Sequence, residues 1–255
     1  MDRRSFLKGA GLSAGVLVGG GATIAAVLPQ QSVAHDELDT RSYANERYGD
    51  DRLSETRIVW KGPTTQKLIA LTFDDGPMPK YTPAILDILA EKKVRATFMV
   101  VGSRVEANPD LFRREMAGKH EIGNHTWSHA ILPFVDRNHV DREMRRTDEL
   151  IEKLTGRRPT LFRPPRGCIS GDVLTVASRL EYDVLMWSLQ FHEDAFDAAG
   201  NVSYIADKLV PGTVLLAHDY GNASRQVDLD ALPALIDAVR ARGYEFVTAS
   251  ELLSA

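Results

Sequence analysis

The feature that most constrains the fold of this 255-residue chain is an alternation of short apolar runs with longer amphipathic stretches, which starts at Lys67. The first run, 68–73, is apolar except for one threonine, which predicts a strand buried on both faces. The stretch that follows, 81–92, has helical spacing with Pro83 in its first turn. Alternation of this kind is typical of strand and helix units in a mainly parallel sheet, so the sequence predicts an α/β fold.

About seven strand–helix units follow one another in this part of the chain. Further strands are predicted at 97–101, 121–122, 160–162, 184–187, 214–217 and 246–247, and further helices at 108–117, 137–154 and 232–242. The number of units is close to that of a closed parallel barrel, which gathers its chemistry at the carboxyl ends of the strands. An open doubly wound sheet is the alternative.

The first residues of the chain have the pattern of a targeting signal. Arg3 and Arg4 precede an apolar stretch rich in glycine and alanine, and small residues at 32–34 offer a cleavage site. This predicts a twin-arginine signal peptide over 1–34 and export of the folded protein to the periplasm, the cell wall or the medium. An uncleaved membrane anchor is the alternative. Residues 35–66 are predicted to be a linker and N-terminal extension with an extended segment near Ile58, and 67–255 a single domain.

The charge and cysteine content limit the partners and the cross-links of this chain. Its formal net charge is −4, and without the +2 of residues 1–34 the remainder carries −6. An acidic chain without a basic run is poorly suited to nucleic acid, so neutral or cationic partners are expected. Cys168 is the only cysteine, which excludes an intramolecular disulfide, and we expect it to be a buried structural thiol. We further expect a monomer.

Two adjacent carboxylates, Asp74 and Asp75, follow the first predicted strand, in a turn formed by Gly76 and Pro77. Because neighbouring side chains after a strand point in different directions, one carboxylate can bind a cation while the other faces a water molecule. Asp, Gly and Pro are also common turn residues, so this tetrapeptide alone does not establish a site.

Two histidines four residues apart, His125 and His129, follow the predicted strand at 121–122. This spacing predicts that both imidazoles lie on one side of a helical turn. With a strand-end aspartate as third ligand they would form an open site for a divalent cation, as in hydrolytic zinc sites.

Two further motifs lie at predicted strand ends. The prolines of the RPPRG segment at 163–167 stiffen the backbone, so that a side chain or amide can be held in place. A rigid surface loop is the alternative. His218 follows the predicted strand at 214–217 and, taken alone, could be a structural histidine.

In this order and spacing, the four motifs resemble those of the polysaccharide deacetylase family, also called the NodB homology domain or carbohydrate esterase family 4. They are TFDDGP at 72–77, HTWSH at 125–129, RPPRG at 163–167 and LLAHD at 215–219, and the resemblance covers about 67–253. It implies a distorted (β/α)7 barrel and a divalent metal, zinc or another ion such as cobalt, held by Asp75, His125 and His129.

The resemblance also implies a role for each remaining motif residue. Asp74 matches the catalytic base, and Arg163 matches the residue that orients it. His218 matches the acid that protonates the departing amine. The backbone N–H of Arg166 matches a donor to the tetrahedral oxyanion, and Pro165 and Trp187 are expected beside it at the substrate.

The chain departs from the family pattern after Trp187. Gln190 stands where the family has an aspartate, and Asp194 stands where it has a tryptophan of the substrate pocket. A neutral amide does not stabilise the imidazolium of His218 as a carboxylate does, so a lowered His218 pKa is predicted. His192, Glu193 or Asp194 could compensate.

A second departure is Arg166, which replaces a tyrosine common in the family. This cation is expected either to favour an anionic glycan or to pair with one of the nearby acids.

The leading hypothesis is the removal of N-acetyl groups from amino sugars of a polysaccharide, chitin-like or peptidoglycan. An O-acetyl esterase acting on xylan or another acetylated glycan is the nearest alternative, because an alkoxide leaves more easily than an amide anion. A non-catalytic carbohydrate-binding protein on the same scaffold is an alternative of another class.

Overall fold

The computed structural model describes residues 56–255, which belong to one compact unit, Asp50–Ala255. The predicted signal peptide and most of the predicted linker lie outside the described residues. Strands β1–β9 are Ile58–Val59, Leu68–Asp74, Thr97–Val100, Glu121–Asn124, Leu161–Phe162, Asp183–Leu185, Leu189–Gln190, Val214–His218 and Glu245–Val247. Helices α1–α8 are Thr82–Lys92, Gly102–Ala107, Pro109–Ala117, Arg137–Thr155, Gly171–Arg179, Ala198–Lys208, Gln226–Ala241 and Ala249–Leu253. Among residues 56–255, no helix is both long and apolar enough to cross a bilayer.

The strands form one sheet in which every strand pair is parallel. Their order is β1-β6-β5-β4-β3-β2-β8-β7, with β9 beside the first half of β2. The order from β2 to β6 follows the chain without a reversal. A doubly wound sheet reverses its strand order at a switch point, so the open-sheet alternative does not apply here.

A bent strand brings the two ends of this sheet together. Only 186–188 separate β6 from β7, yet β6 pairs with β5 and β7 pairs with β8. Counted as one strand, β6 and β7 join with β2–β5, β8 and β9 to give seven strands, and the sheet curls into the predicted distorted (β/α)7 barrel. β1, which lies in the predicted extension, pairs with β6 at the edge of this sheet.

Alternation along β2 decides which residues face the barrel interior. Ile69, Leu71 and Phe73 pack into the larger hydrophobic cluster, under the helices, whereas Ala70 belongs to a separate cluster with Met99 and Val214 of neighbouring strands. Successive side chains of a strand point to opposite faces. Two further positions of the second face, Thr72 and Asp74, therefore point into the barrel, where both are buried.

The helices largely follow the sequence pattern. α4 begins after Asp136, whose side chain accepts a hydrogen bond from the His139 N–H, and it ends at the left-handed Gly156, with φ of 77°. α7 begins at Gln226, six residues before the predicted start, and contains Pro233 in its interior. Its first turns carry polar residues at 226, 228 and 230, so the apolar pattern becomes visible only further along.

Candidate functional site

A cavity of about 310 Å³ opens at the carboxyl ends of β2, β4 and β8. Seven of the nine predicted site residues line it, and Arg163 and Pro165 do not. The lining residues are Asp74, Asp75, His125, His129, Arg166, Trp187, Gln190, Leu216, His218 and Arg225. The four motifs, which are spread over nearly 150 residues of sequence, therefore meet at one end of the barrel.

The two aspartates after the first long strand differ in direction. Asp74 is the last residue of β2 and lies beside His218 of β8 in the sheet register. Asp75 leaves the strand with a left-handed φ of 79°. At Gly76 a Cβ atom would lie 2.0 Å from Asp219 Oδ2, so only glycine allows this loop to pack against the end of β8. The tight turn thus separates the two carboxylates.

The loop that carries the two histidines is not a helical turn, so that prediction is wrong. The backbone from His125 to His129 is irregular, with left-handed φ at Thr126 (70°) and His129 (61°). Side chains support this conformation: Asn124 Oδ1 accepts from the Thr126 N–H at 2.7 Å, and the Glu143 carboxylate accepts from the Ser128 N–H at 2.8 Å. A loop can bring imidazoles four residues apart to one point without helical geometry.

The three predicted metal ligands converge on one point. Asp75 Oδ1 lies 3.0 Å from His129 Nε2 and 3.4 Å from His125 Nε2, and all three atoms lie within 4.8 Å of one another. Asp75 Oδ1 is buried and accepts no hydrogen bond from the described part of the chain. The group offers two imidazole nitrogens and one carboxylate oxygen that can still accept a partner. This set of donor atoms suits a divalent cation such as zinc.

The Asp75 carboxylate of this group is held in the ionised form that a metal ligand requires. Burial opposes ionisation of Asp75, but the two imidazoles beside it outweigh burial and hold its pKa well below the usual range. His125 is buried, and its Nδ1 lies 2.7 Å from the Arg163 carbonyl oxygen. Donation from Nδ1–H to this carbonyl leaves the Nε2 lone pair directed at the convergence point.

Arg163 lies beneath the cavity and is fully buried in the barrel interior. Its guanidinium donates to Asp74 Oδ1 at 2.5 Å and to Thr72 Oγ1 at 2.9 Å, both on the inward face of β2. Two more bonds, to the carbonyl oxygens of Leu185 and Met186, hold the guanidinium to the bend between β6 and β7. The predicted ion pair with Asp74 is present and is fixed by the barrel itself.

Among residues 56–255, the carboxylate at ion-pair distance from the His218 ring comes from Glu193, three residues beyond position 190. Glu193 Oε1 lies 4.0 Å from His218 Nδ1 and is ion-paired with Arg225. Gln190 instead accepts a hydrogen bond from the Trp187 indole at 2.7 Å. Of the other residues proposed to compensate, Asp194 is exposed, and His192 packs edge-on against Phe196 and Tyr204.

Two residues near His218 belong to none of the four sequence motifs. Arg225 and Asp228 lie at the start of α7, and an oxygen of Asp228 is within 4.8 Å of ligand atoms of both His218 and Glu193. Their spacing of three residues at a helix start was the only sequence signal for them.

Burial decides the titration of this group. It lowers the pKa of His218, and the Asp74 and Asp75 carboxylates offset only part of that effect. The predicted direction is therefore found, although its main cause is burial and not Gln190. Burial also raises the pKa of Asp228 to about 7, despite the nearby Arg225.

The RPPRG segment contributes unevenly to the cavity. Pro165 is buried and lies outside the lining, whereas the side chain of Arg166 is exposed at the cavity. Cys168 is half-buried, so the expectation of a buried thiol is wrong.

Arg104 on α2 is a third residue that the sequence did not single out. It donates a hydrogen bond to the Asp75 carbonyl oxygen, and its guanidinium stacks 3.4 Å from the ring centroid of Tyr220. It links the loop after β2 to the loop after β8 at the edge of the Asp75, His125 and His129 group.

Comparison with known proteins gives the same family as the four motifs. The family profile described as polysaccharide deacetylase matches residues 61–185. A peptidoglycan-N-acetylglucosamine deacetylase of Bacillus cereus is 37% identical over 77% of this chain and 92% of its own length. The peptidoglycan-N-acetylmuramic acid deacetylase PdaA of Bacillus subtilis is 31% identical over 94% of this chain and 93% of its own length.

The fold agrees with a solved structure from the same group. The crystal structure of the Bc1960 peptidoglycan N-acetylglucosamine deacetylase matches with a TM-score of 0.74 and 31% identity, over 77% of this chain and 92% of that one. The matching family profile, the similar relatives and the shared barrel show that this chain belongs to the polysaccharide deacetylase family.

Proposed function

We propose that this protein is a metal-dependent deacetylase that removes N-acetyl groups from the amino sugars of peptidoglycan. The observation that carries the proposal is the convergence of Asp75, His125 and His129 beside Asp74, with His218 adjacent to Asp74 across the sheet. Relatives that share most of its length are named as peptidoglycan deacetylases, which supports peptidoglycan over chitin or xylan as the polymer.

Asp75, His125 and His129 would hold the metal, and zinc is the ion that this donor set suits best. When bound, a divalent ion lowers the pKa of water towards neutrality and polarises the acetyl carbonyl. Three protein ligands leave open positions, as a catalytic site requires.

Asp74 would act as the general base. Its Oδ2 lies 3.7 Å from His125 Nε2, next to the metal-binding group, while Oδ1 is held by Arg163. One oxygen is thereby fixed by the barrel, and the other is positioned to take a proton from the attacking water. The Arg166 backbone N–H would donate to the oxyanion that forms on the acetyl group.

His218 would act as the general acid that protonates the departing amine. An amine cannot leave as an anion, so amide hydrolysis depends on this proton. The Asp74 and Asp75 carboxylates favour the imidazolium and oppose the effect of burial, and Glu193 adds a carboxylate 4.0 Å from Nδ1. These carboxylates around the acid support amide over ester hydrolysis. An O-acetyl esterase depends less on protonation by His218 and stays the second candidate.

The proposed cellular site is outside the cytoplasm. The twin-arginine pattern at 1–34 supports export in the folded state, and peptidoglycan as substrate agrees with a place at the cell wall. We propose a monomer, and fractionation of cells with size-exclusion chromatography of the mature domain tests both statements.

Removal of the metal is expected to abolish acetate release from peptidoglycan, and added zinc or cobalt is expected to restore it. A metal ion that binds only the folded state adds about 2.7 kcal/mol of stability at 100 times its Kd. The melting temperature should therefore fall when the metal is removed and recover when it is added back. Acetate release from peptidoglycan, chitooligosaccharide and acetylated xylan, with metal analysis and thermal unfolding, checks this result.

His129→Ala is the matched variant for this experiment, because it removes one ligand from a partly exposed position. It should bind less metal and lose the metal-dependent stabilisation. A metal-loaded protein that releases acetate from none of the three polymers would leave only the non-catalytic carbohydrate-binding alternative.

Replacement of Glu193 by glutamine is expected to move the alkaline limb of kcat/KM to lower pH by about one unit. Loss of the anion 4.0 Å from Nδ1 adds to the effect of burial, which already lowers the pKa of His218 and which the Asp74 and Asp75 carboxylates offset only in part. His218 delivers a proton only below its pKa, so activity is then lost at a lower pH. The measurement is the pH profile for an acetamido sugar.

Two comparisons isolate the effect on the acid. Asp194→Asn changes an exposed neighbour and should not shift the profile. An aryl acetate, whose leaving group needs no proton, should show a smaller shift with Glu193→Gln. Equal shifts for both substrates would assign the titrating group to a step other than leaving-group protonation.

A further inference from the structure

The cavity contains two guanidinium groups that differ in their partners. Arg225 is ion-paired with Glu193, and this pair lies beside His218. The Arg166 side chain is exposed, and among residues 56–255 no carboxylate lies at ion-pair distance from it. Of the two expectations for this cation, pairing with a neighbouring acid is therefore not found. Arg166 keeps its charge available at the cavity, although Asp74 and Asp75 line the same cavity.

The backbone at Arg166 is unfavourable for a long side chain. Its φ of 60° and ψ of 14° lie in the left-handed region, which glycine and asparagine adopt most easily. The buried Pro165 before it and the left-handed Gly167 after it hold this conformation. Backbone strain of this kind clusters at functional sites, and here the side chain of the strained residue lines the cavity.

The chemistry of peptidoglycan sugars suggests that use. Both amino sugars carry the acetamido group at C2, and N-acetylmuramic acid differs by a lactyl ether at the neighbouring O3, which ends in a carboxylate. C2 and C3 substituents of a pyranose are vicinal, so this carboxylate lies beside the acetyl group that is hydrolysed. If the Arg166 N–H meets the acetyl oxygen, the guanidinium of the same residue is well placed for the O3 substituent.

We propose that the Arg166 guanidinium binds the carboxylate of an O3 lactyl ether, so that the site selects N-acetylmuramoyl over N-acetylglucosaminyl residues. This inference rests on the proposed deacetylase function and deepens it. A planar guanidinium binds a carboxylate through two parallel hydrogen bonds, a geometry that a lysine does not reproduce. The cation also offsets the repulsion between an anionic sugar and the acidic residues of the cavity.

The experiment compares two matched substrates. One is a peptide-free glycan fragment of peptidoglycan, and the other is the same fragment with its lactyl carboxylates converted to primary amides. Mass spectrometry identifies which sugar loses its acetyl group, and kcat/KM is measured for both substrates with the wild-type protein, Arg166→Gln and Arg166→Lys. Thermal unfolding with metal analysis verifies that each variant is folded and loaded.

For the wild-type protein we expect deacetylation of muramoyl residues and a preference for the free carboxylate over the amide. Arg166→Gln should reduce this preference by roughly 10- to 100-fold, through KM more than kcat, because a charge-assisted pair is lost. Arg166→Lys should retain part of it. A wild-type protein that acts on N-acetylglucosaminyl residues alone, or a preference unchanged in Arg166→Gln, overturns the inference while the deacetylase function stands. Acetate release from neither substrate overturns both.

Discussion

Replacement of Asp74 by asparagine is expected to lower kcat/KM for deacetylation by about 10²- to 10⁴-fold, the range of a lost general base, while the metal stays bound. The asparagine side chain has nearly the shape of the native one and could still accept a hydrogen bond from Arg163, but it could not take a proton. The Asp75, His125 and His129 group does not include position 74. Steady-state kinetics on a peptidoglycan fragment, with metal analysis of the same sample, checks the result.

Asp75→Asn is the matched control for this variant, because it makes the same chemical change at the neighbouring carboxylate. It should lose metal as well as activity, since Asp75 Oδ1 is the point on which both imidazoles converge. If Asp74→Asn bound metal normally and turned over at the wild-type rate, Asp74 would not be the base.

Replacement of Arg163 by methionine is expected to lower the free energy of unfolding by about 3–5 kcal/mol, which is typical for breaking a buried ion pair. Arg163 has no exposed surface, and Asp74 is 3% exposed, so the carboxylate would be left in the barrel without its charged partner. The carbonyl oxygens of Leu185 and Met186 would lose their donors as well. Urea unfolding of the metal-free proteins measures the difference without a contribution from metal binding.

Arg145→Met provides the matched control on the helix surface. Arg145 pairs with Asp141 at 2.9 Å, but its side chain is 49% exposed, so the loss should be below about 1 kcal/mol. Equal losses for the two variants would mean that the buried network around Arg163 contributes no more than a surface pair. Arg163→Met should also lose activity, because Asp74 would no longer be oriented.

The parts of the fold that were predictable depend on local patterns. β2 lies where a mainly apolar run predicted a buried strand, and α4 ends at Thr155, one residue beyond its predicted end, with Gly156 as its C-cap. Both signals come from residues within a few positions of one another. The barrel was predicted from the number and alternation of the strand and helix segments, which likewise do not depend on long-range contacts.

The features that were not predictable depend on the direction in which the backbone and the side chains point. Four residues of spacing between His125 and His129 were compatible with a helix and with a loop. The choice came from tertiary contacts with α4, where Glu143 accepts from Ser128 and where Met144 and Asp148 hold the Asn124 amide. Glu143 lies on α4, fourteen residues beyond His129, so no window around the histidines contains the information.

Local apolar runs and turn residues were enough to predict which residues lie at the carboxyl ends of the strands. What each side chain contacts at those ends depends on how the barrel folds. Glu193 and not position 190 faces His218, and it is Arg225, not Arg166, that pairs with that glutamate. Those pairings are set by the bend between β6 and β7 and by where α7 begins. They join residues more than twenty positions apart, and the side chains meet only when the barrel closes.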